Sequence, residues 1–215
     1  MALAPDGARS ANRYCCACKN IGAKIICFLI PVNKKLRAKQ SFLEELILNA
    51  VFKTNRLLLR HANASDAAVL LKLVNQASFI KHIGDKAIYT LDDAKSYINQ
   101  SFIASHKYQG FGPYVITLHN GVVVGVVGFY KRAALQQPDL GFALVSDFEK
   151  KGYIFEAATA LLQHKHKFGI TKLCAIASPD NRASQTVLLK LGFKIEGKAV
   201  INNDKTAVII FSLND

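Results

Sequence analysis

The chain of 215 residues carries 28 Lys and Arg against 15 Asp and Glu, a formal net charge of +13, and 51% of it is apolar. That length and balance fit one globular domain with an appendage, and they exclude wholesale disorder, collagen-like repeats and a disulfide scaffold. No apolar run reaches the roughly 18 residues of a membrane span, residues 25–32 being interrupted by Pro31; polyanions, nucleic acid or a phosphorylated cofactor, are the partners such a charge favours.

Residues 1–50 differ in character from the rest. They hold eight Lys or Arg against Asp6, Glu44 and Glu45, together with Cys15, Cys16, Cys18 and Cys27, and show no helical or strand period. The expectation is a basic, poorly ordered extension ending in a short helix over residues 41–50. Cys15 and Cys18 form a CxxC without the second pair that a zinc site needs, so no metal is expected. A secretory leader is disfavoured, because the apolar stretch runs into Asn33-Lys34-Lys35 where small residues should mark cleavage; the expected location is cytoplasmic. Met1 is the sole methionine, and Val51, through a GTG codon, is the expected native start of a domain spanning residues 51–215.

That domain opens with a strand over residues 57–60. Ser65 is placed to cap a helix with Ala68, Leu71, Leu70 and Val74 inward. Thr90 with Asp93 resembles a capping box opening a helix to about His106. Strands over residues 114–118 and 122–130 flank His119-Asn120-Gly121, and Asn-Gly between apolar runs signals a hairpin. After Pro138 a strand covers residues 139–145, a helix covers 152–168, and a short apolar strand covers 173–177. Asn181 caps a last helix with Ala183, Val187, Leu188 and Leu191 inward, Gly192 ends it, and residues 193–196 and 207–213 close the chain as strands. The order β α α β β β α β α β β defines an α/β (α+β) class with a mixed, twisted sheet and helices on both faces.

Two segments carry chemistry. In Glu149-Lys150-Lys151-Gly152-Tyr153-Ile154 a strand passes into a helix whose first N–H groups and positive dipole end form an anion site. Gly152 removes a Cβ and the lysines add charge, although a solvated turn has the same residues. In Asn181-Arg182-Ala183-Ser184, followed by Leu191-Gly192-Phe193, the polar pair is by itself equally a helix cap and its first-turn partner. His164 and His166 are two apart on a helix and share no face for a metal, and Cys174 reads as core.

Together these segments resemble the acetyl-CoA-binding motifs of the GNAT acyltransferase superfamily, in its RimJ/RimL-like branch of ribosomal-protein N-terminal acetyltransferases. The resemblance runs from residue 53 to 213 and includes Arg56-Leu57-Leu58-Leu59-Arg60 and Asp139-Leu140-Gly141-Phe142. The family's Gln/Arg-x-x-Gly-x-Gly/Ala loop corresponds to residues 149–154, with Glu149 and Ile154 departing from it; Asn181 and Ser184 match its Asn-x-x-Ser. The resemblance implies that acetyl-CoA is held by Lys150, Lys151, Gly152, Tyr153, Ile154, Asn181 and Ser184, with pantetheine along the backbone of Phe142, Ala143, Leu144 and Val145.

The implied activity is acetyl transfer to a primary amine, most plausibly a protein N-terminal α-amine, by a monomer or homodimer. Asp139 is the implied base, or else a strand-edge carboxylate following Pro138. Many family members place a Tyr where Leu188 stands, so Ser184, or a water held by it and Asn181, is the substitute acid. The alternatives are a small-amine acetyltransferase (antibiotic or polyamine), an acyl-CoA-binding protein without catalysis, and a basic nucleic-acid-binding protein. The last is disfavoured because no recognition module is present and the charge is spread along the chain.

Overall fold

The computed structural model describes residues 50–200 and 207–214. Its strands are β1 (Ala50–Lys53), β2 (Leu57–Arg60), β3 (Pro113–Leu118), β4 (Val123–Tyr130), β5 (Asp139–Leu144), β6 (Leu173–Ala177), β7 (Lys194–Val200) and β8 (Ala207–Leu213). They form one sheet in the order β1-β2-β3-β4-β5-β6-β8-β7. Every neighbouring pair is antiparallel except β5 and β6. The helices are α1 (Ala67–Val74), α2 (Ala77–Ile83), α3 (Leu91–Tyr97), α4 (Ala104–Gln109), α5 (Tyr153–Leu162) and α6 (Arg182–Lys190), with a π-helical turn, Ile98–Ile103, joining α3 to α4.

Alternation along the central strands sends side chains to two cores. Leu57, Leu59, Ile116, Val127 and Phe129 pack with Ile154, Ala157, Ala158 and Leu161 of α5 and Leu188 of α6. On the other face Val115 and Val126 pack with Leu70, Leu73 and Val74 of α1, Ala94 of α3 and the π-turn residues Ile98 and Phe102. The mixed sheet covered on both faces is therefore the observed architecture. Each fully buried Leu contributes roughly 1.5–3 kcal/mol, and Leu57, Leu58 and Leu59 are all fully buried, which pins β2 as an interior strand. No helix among the described residues is long and apolar enough to cross a membrane.

Local signals account for several junctions. Thr90 accepts from Asp93 N in a reciprocal capping box, and Gly121, at φ 88°, makes the turn between β3 and β4. Other expectations need correction. Asn63, not Ser65, is the cap before α1: its side chain accepts from Ser65 N, and Asp66 closes the box on Asn63 N. The chain thus enters through a 3₁₀ turn, which rotates α1 so that Ala67, Leu70, Leu73 and Val74 are buried and Ala68 is exposed. Asp66 also receives both terminal nitrogens of the buried Arg60, at 2.7 and 2.8 Å, which fastens α1 to the end of β2. The helix expected over 152–168 stops at Leu162, and a 3₁₀ turn, Lys165–Phe168, follows. In α6 the buried residues are Gln185 and Leu188, while Ala183 is exposed. The expected leader over residues 1–50 and its CxxC lie outside the described residues, apart from Ala50, which is strand and not helix.

Candidate active site

β5 and β6 run parallel but share only one registered pair, Asp139 with Cys174. Cys174 N donates to Pro138 O at 3.0 Å, and beyond that point the strands part. The gap is the mouth of a cleft of about 970 Å³. On its other side β5 is fully registered with β4 from Tyr130 opposite Asp139 to Gly125 opposite Leu144. Bonded and non-bonded pairs alternate in an antiparallel ladder. Val145 N donates to Val124 O, so Ala143 and Gly141 also face β4, while the amides of Phe142 and Leu144 face the cleft.

Of those cleft-facing groups, Leu144 O accepts from Gln76 Nε2 at 3.1 Å, and Gln76 Oε1 accepts from Ser146 N at 2.9 Å. An extended ligand therefore meets an open strand edge at Phe142 and the Leu144 N–H. Val145 is buried in the second core with its N–H used, so it stands apart from this edge.

The strand leads into the loop before α5. Lys150 and Gly152 both take left-handed backbone, at φ 59° and 78°. Gly152 is the N-cap of α5 and no side chain caps the helix; the first backbone amide to bond back is Glu156 N, to Gly152 O. The amides of Gly152, Tyr153, Ile154 and Phe155, none of which has a partner among the described residues, are thus left for an anion. A Cβ on Gly152 would meet only Arg56 Nη2, at 3.5 Å, so its left-handed backbone explains glycine there better than crowding does.

Arg56 braces this loop. Its Nε donates to Glu156 Oε2 at 2.6 Å, its Nη1 donates to Lys151 O at 3.0 Å, and its guanidinium lies 4.8 Å from the Tyr153 ring centroid. Glu156 also accepts from Thr54 Oγ1 and Arg56 N, so its charge in the first turn of α5 is compensated. The Ile154 side chain is buried in the first core, where its bulk does not bear on the loop's amides. Lys150 lines the cleft. Lys151 does not: its ammonium donates to Asp147 O and lies 5.2 Å from the Phe148 ring centroid.

Asn181 and Ser184 line the opposite wall. Asn181 Oδ1 accepts from Ser184 N at 3.0 Å, so the cap expected from the sequence is formed. The Ser184 hydroxyl has no hydrogen-bond partner among the described residues.

Asp139 also lines the cleft and is fully buried. Arg132 Nε lies 3.1 Å from its Oδ2, a contact from a partly exposed guanidinium that leaves the carboxylate without a full set of well-formed hydrogen bonds. Burial raises its pKa to about 6, against the pull of Arg132 in the other direction. Beside it, burial pushes the Tyr130 phenol above its ordinary value, with Tyr97 and Asp139 adding to the rise. From α2, His82 Nδ1 sits 2.9 Å from Ser178 Oγ, and Lys81 pairs with Asp180 at 2.7 Å; these contacts tie α2 to the loop after β6. Gln76, His82, Tyr130 and Arg132 carried no signal in the sequence, because their partners are set by tertiary contact and follow no motif.

A sheet splayed between two parallel strands, with an uncapped helix N-terminus at the splay, gives a cleft in which an open strand edge leads to an anion site. Residues 56–194 match the family described as acetyltransferase (GNAT) domain, and the chain belongs to that family. It is similar to the uncharacterized N-acetyltransferase YnaD of Bacillus subtilis (strain 168), 27% identical over 145 residues, 67% of this chain and 82% of the relative. Among solved structures it resembles an acetyltransferase from Salmonella typhimurium that modifies the N-terminal serine of a 50S ribosomal subunit protein. That likeness has TM-score 0.64 and 22% identity, covering 75% of this chain and 96% of the other. It also resembles the self-immunity acetyltransferase MccE in complex with acetyl-CoA and AMP, with TM-score 0.64 and 24% identity, covering 75% and 94%. The enzyme is an acetyl-CoA-dependent N-acetyltransferase with acetyl-CoA as its co-substrate.

Proposed function

We propose that the acceptor is the α-amine of a protein N-terminus, with Asp139 as general base and Ser184, or a water it holds with Asn181, as general acid. The observation that carries this reading is a fully buried carboxylate, paired only with Arg132, on the wall of the cleft where β5 and β6 part. A pKa of about 6 leaves Asp139 ionised at neutral pH yet basic enough to share a proton. An α-amine of pKa ~7.8 needs only about 1 kcal/mol to become neutral at pH 7, whereas a lysine at ~10.4 needs about 4.6; a weak base suits the former. The Salmonella typhimurium structure is described as acting on an N-terminal serine, which agrees with this choice.

Acetyl-CoA supplies an activated thioester. The open edge at Phe142 and Leu144 orients it, and the amides of Gly152, Tyr153 and Ile154 hold its diphosphate. Asp139 takes the amine proton, directly or through one water, as the C–N bond forms. Ser184 or its water protonates the sulfur as the C–S bond breaks. Acetyl-CoA turnover against peptides with free N-termini, the same peptides with blocked N-termini, lysine amides and polyamines tests the acceptor. Only the free-terminus peptides are expected to react, and preferential turnover of polyamines or lysine side chains would contradict the reading.

On the same reading residues 51–215 form the catalytic domain and residues 1–50 are dispensable. A chain beginning at Val51, which keeps the pairing of Phe52 and Lys53 with β2, is expected to retain its Tm and its CoA affinity within error. Loss of soluble folding on that truncation would contradict the boundary.

A further inference from the structure

Beyond the α-amine reading, on which this step rests, the geometry points to a charge preference. We infer that the acceptor is a peptide N-terminus bearing an acidic side chain within its first few residues, received by Lys86, Lys131 and Arg132. The cleft has two ends set by β5. Five residue steps from Leu144 to Asp139, at roughly 3.3 Å each, separate them by about 17 Å. The Leu144 end adjoins the loop before α5. At the Asp139 end β4 runs out through Tyr130 into Lys131 and Arg132, and the segment after α2 brings in Lys86; all three cations line the cleft.

Little opposes these charges. Asp139 is the acidic group beside them, buried and next to Arg132; Glu149, the other acidic residue of the lining, flanks the loop at the far end. Asp85 adjoins Lys86 in sequence but lies outside the lining, its oxygens taken by Tyr89 OH at 2.7 Å and Ala87 N at 2.8 Å. Lys72, Lys81 and Lys95 each have a carboxylate partner, whereas Lys86 and Lys131 have no ion pair among the described residues. The Lys86 ammonium is drawn below its ordinary pKa first by desolvation, and Arg132 adds to the fall.

A polycationic acceptor would meet like charge at this end, while an acidic side chain would supply the missing counter-charge. An extended residue spans about 3.5 Å, so the second and third residues of a peptide whose amine sits at Asp139 come within reach of long Lys and Arg side chains. The neutral donors and acceptors Gln100, Ser101 and Gln109 line the same cleft and suit a peptide backbone. The same cations also favour the neutral form of the attacking amine.

The test uses three peptides that share an N-terminal Ser and differ at the next two positions, Asp-Glu, Ala-Gln or Lys-Arg, with a small phosphorylated amine alongside. With the full chain and saturating acetyl-CoA, the acidic peptide is expected to exceed the basic one in kcat/KM by about tenfold or more at low salt, chiefly through KM, with the gap narrowing at high salt. The double variant Lys86→Glu, Lys131→Glu is expected to reverse the order, with CoA affinity by calorimetry reporting that it is folded. Equal rates for the three peptides, or an unchanged order in the double variant, would overturn the inference and leave the α-amine reading standing. Turnover of the phosphorylated amine with none of the peptides would overturn both.

Discussion

Asp139→Asn is expected to lower kcat at pH 7 by roughly 10² to 10⁴, the usual cost of a lost general base, with acetyl-CoA affinity retained. The wild-type rate is expected to fall as pH drops through about 6, where burial has placed the Asp139 pKa, and the variant should lose that limb. Stability gives an independent readout. A carboxyl whose folded pKa lies above its unfolded value binds its proton more tightly in the native state, so its charged form costs stability above that range and the cost disappears as pH falls from about 6 to 4. A rise from 3.8 to about 6 amounts to about 3 kcal/mol at neutral pH. Asn carries no charge to desolvate, so the variant should melt no lower than wild type at pH 7. A slow enzyme that is equally or more stable separates a lost base from misfolding. Wild-type kcat with an unchanged pH profile would remove the carboxylate from the mechanism.

Gly152→Glu is expected to weaken CoA binding by at least about tenfold, a loss of some 1.4 kcal/mol. Two effects act together. A side chain at φ 78° strains the loop by roughly 1–2 kcal/mol, and a carboxylate beside the amides of Tyr153 and Ile154 repels the diphosphate. Gly152→Ala separates them, because its Cβ would touch only Arg56 Nη2, at 3.5 Å; it should show the backbone cost alone. Unchanged affinity by calorimetry in the Glu variant would refute the assignment of the loop.

What the sequence made legible was local. The Asn120-Gly121 turn, the Thr90–Asp93 box and the Asn181 cap are each encoded within four residues, and all three formed. Where two local signals competed, the reading failed: Asn63 and Ser65 are both good caps, and Asp66 decided between them by bonding Asn63 N and Arg60 together. Both β1 and α2 were missed because they are short and gain their stability from distant partners, β1 on β2 and α2 through Gln76, His82 and Lys81. The site divided in the same way. Gly152, Asn181 and Ser184 stood in motifs. The brace of Arg56 on Glu156, a hundred residues away in sequence, and the ion pair of Arg132 with Asp139 follow from packing that no spacing reports. Nor did hydrophobic period distinguish Phe142 and Leu144 from Ala143 and Val145; only the ladder register shows which amides face the cleft.

The central claim is that the thioester arm of acetyl-CoA lies along the free edge of β5 with its diphosphate on the first turn of α5. Residue-resolved amide hydrogen exchange, with and without acetyl-CoA, tests it most directly. The account expects added protection at Phe142 and Leu144 and at Gly152, Tyr153 and Ile154, with little change at Ala143 and Val145, whose amides already face β4. Protection that leaves the Phe142 and Leu144 amides unchanged while acetyl-CoA is bound would contradict it.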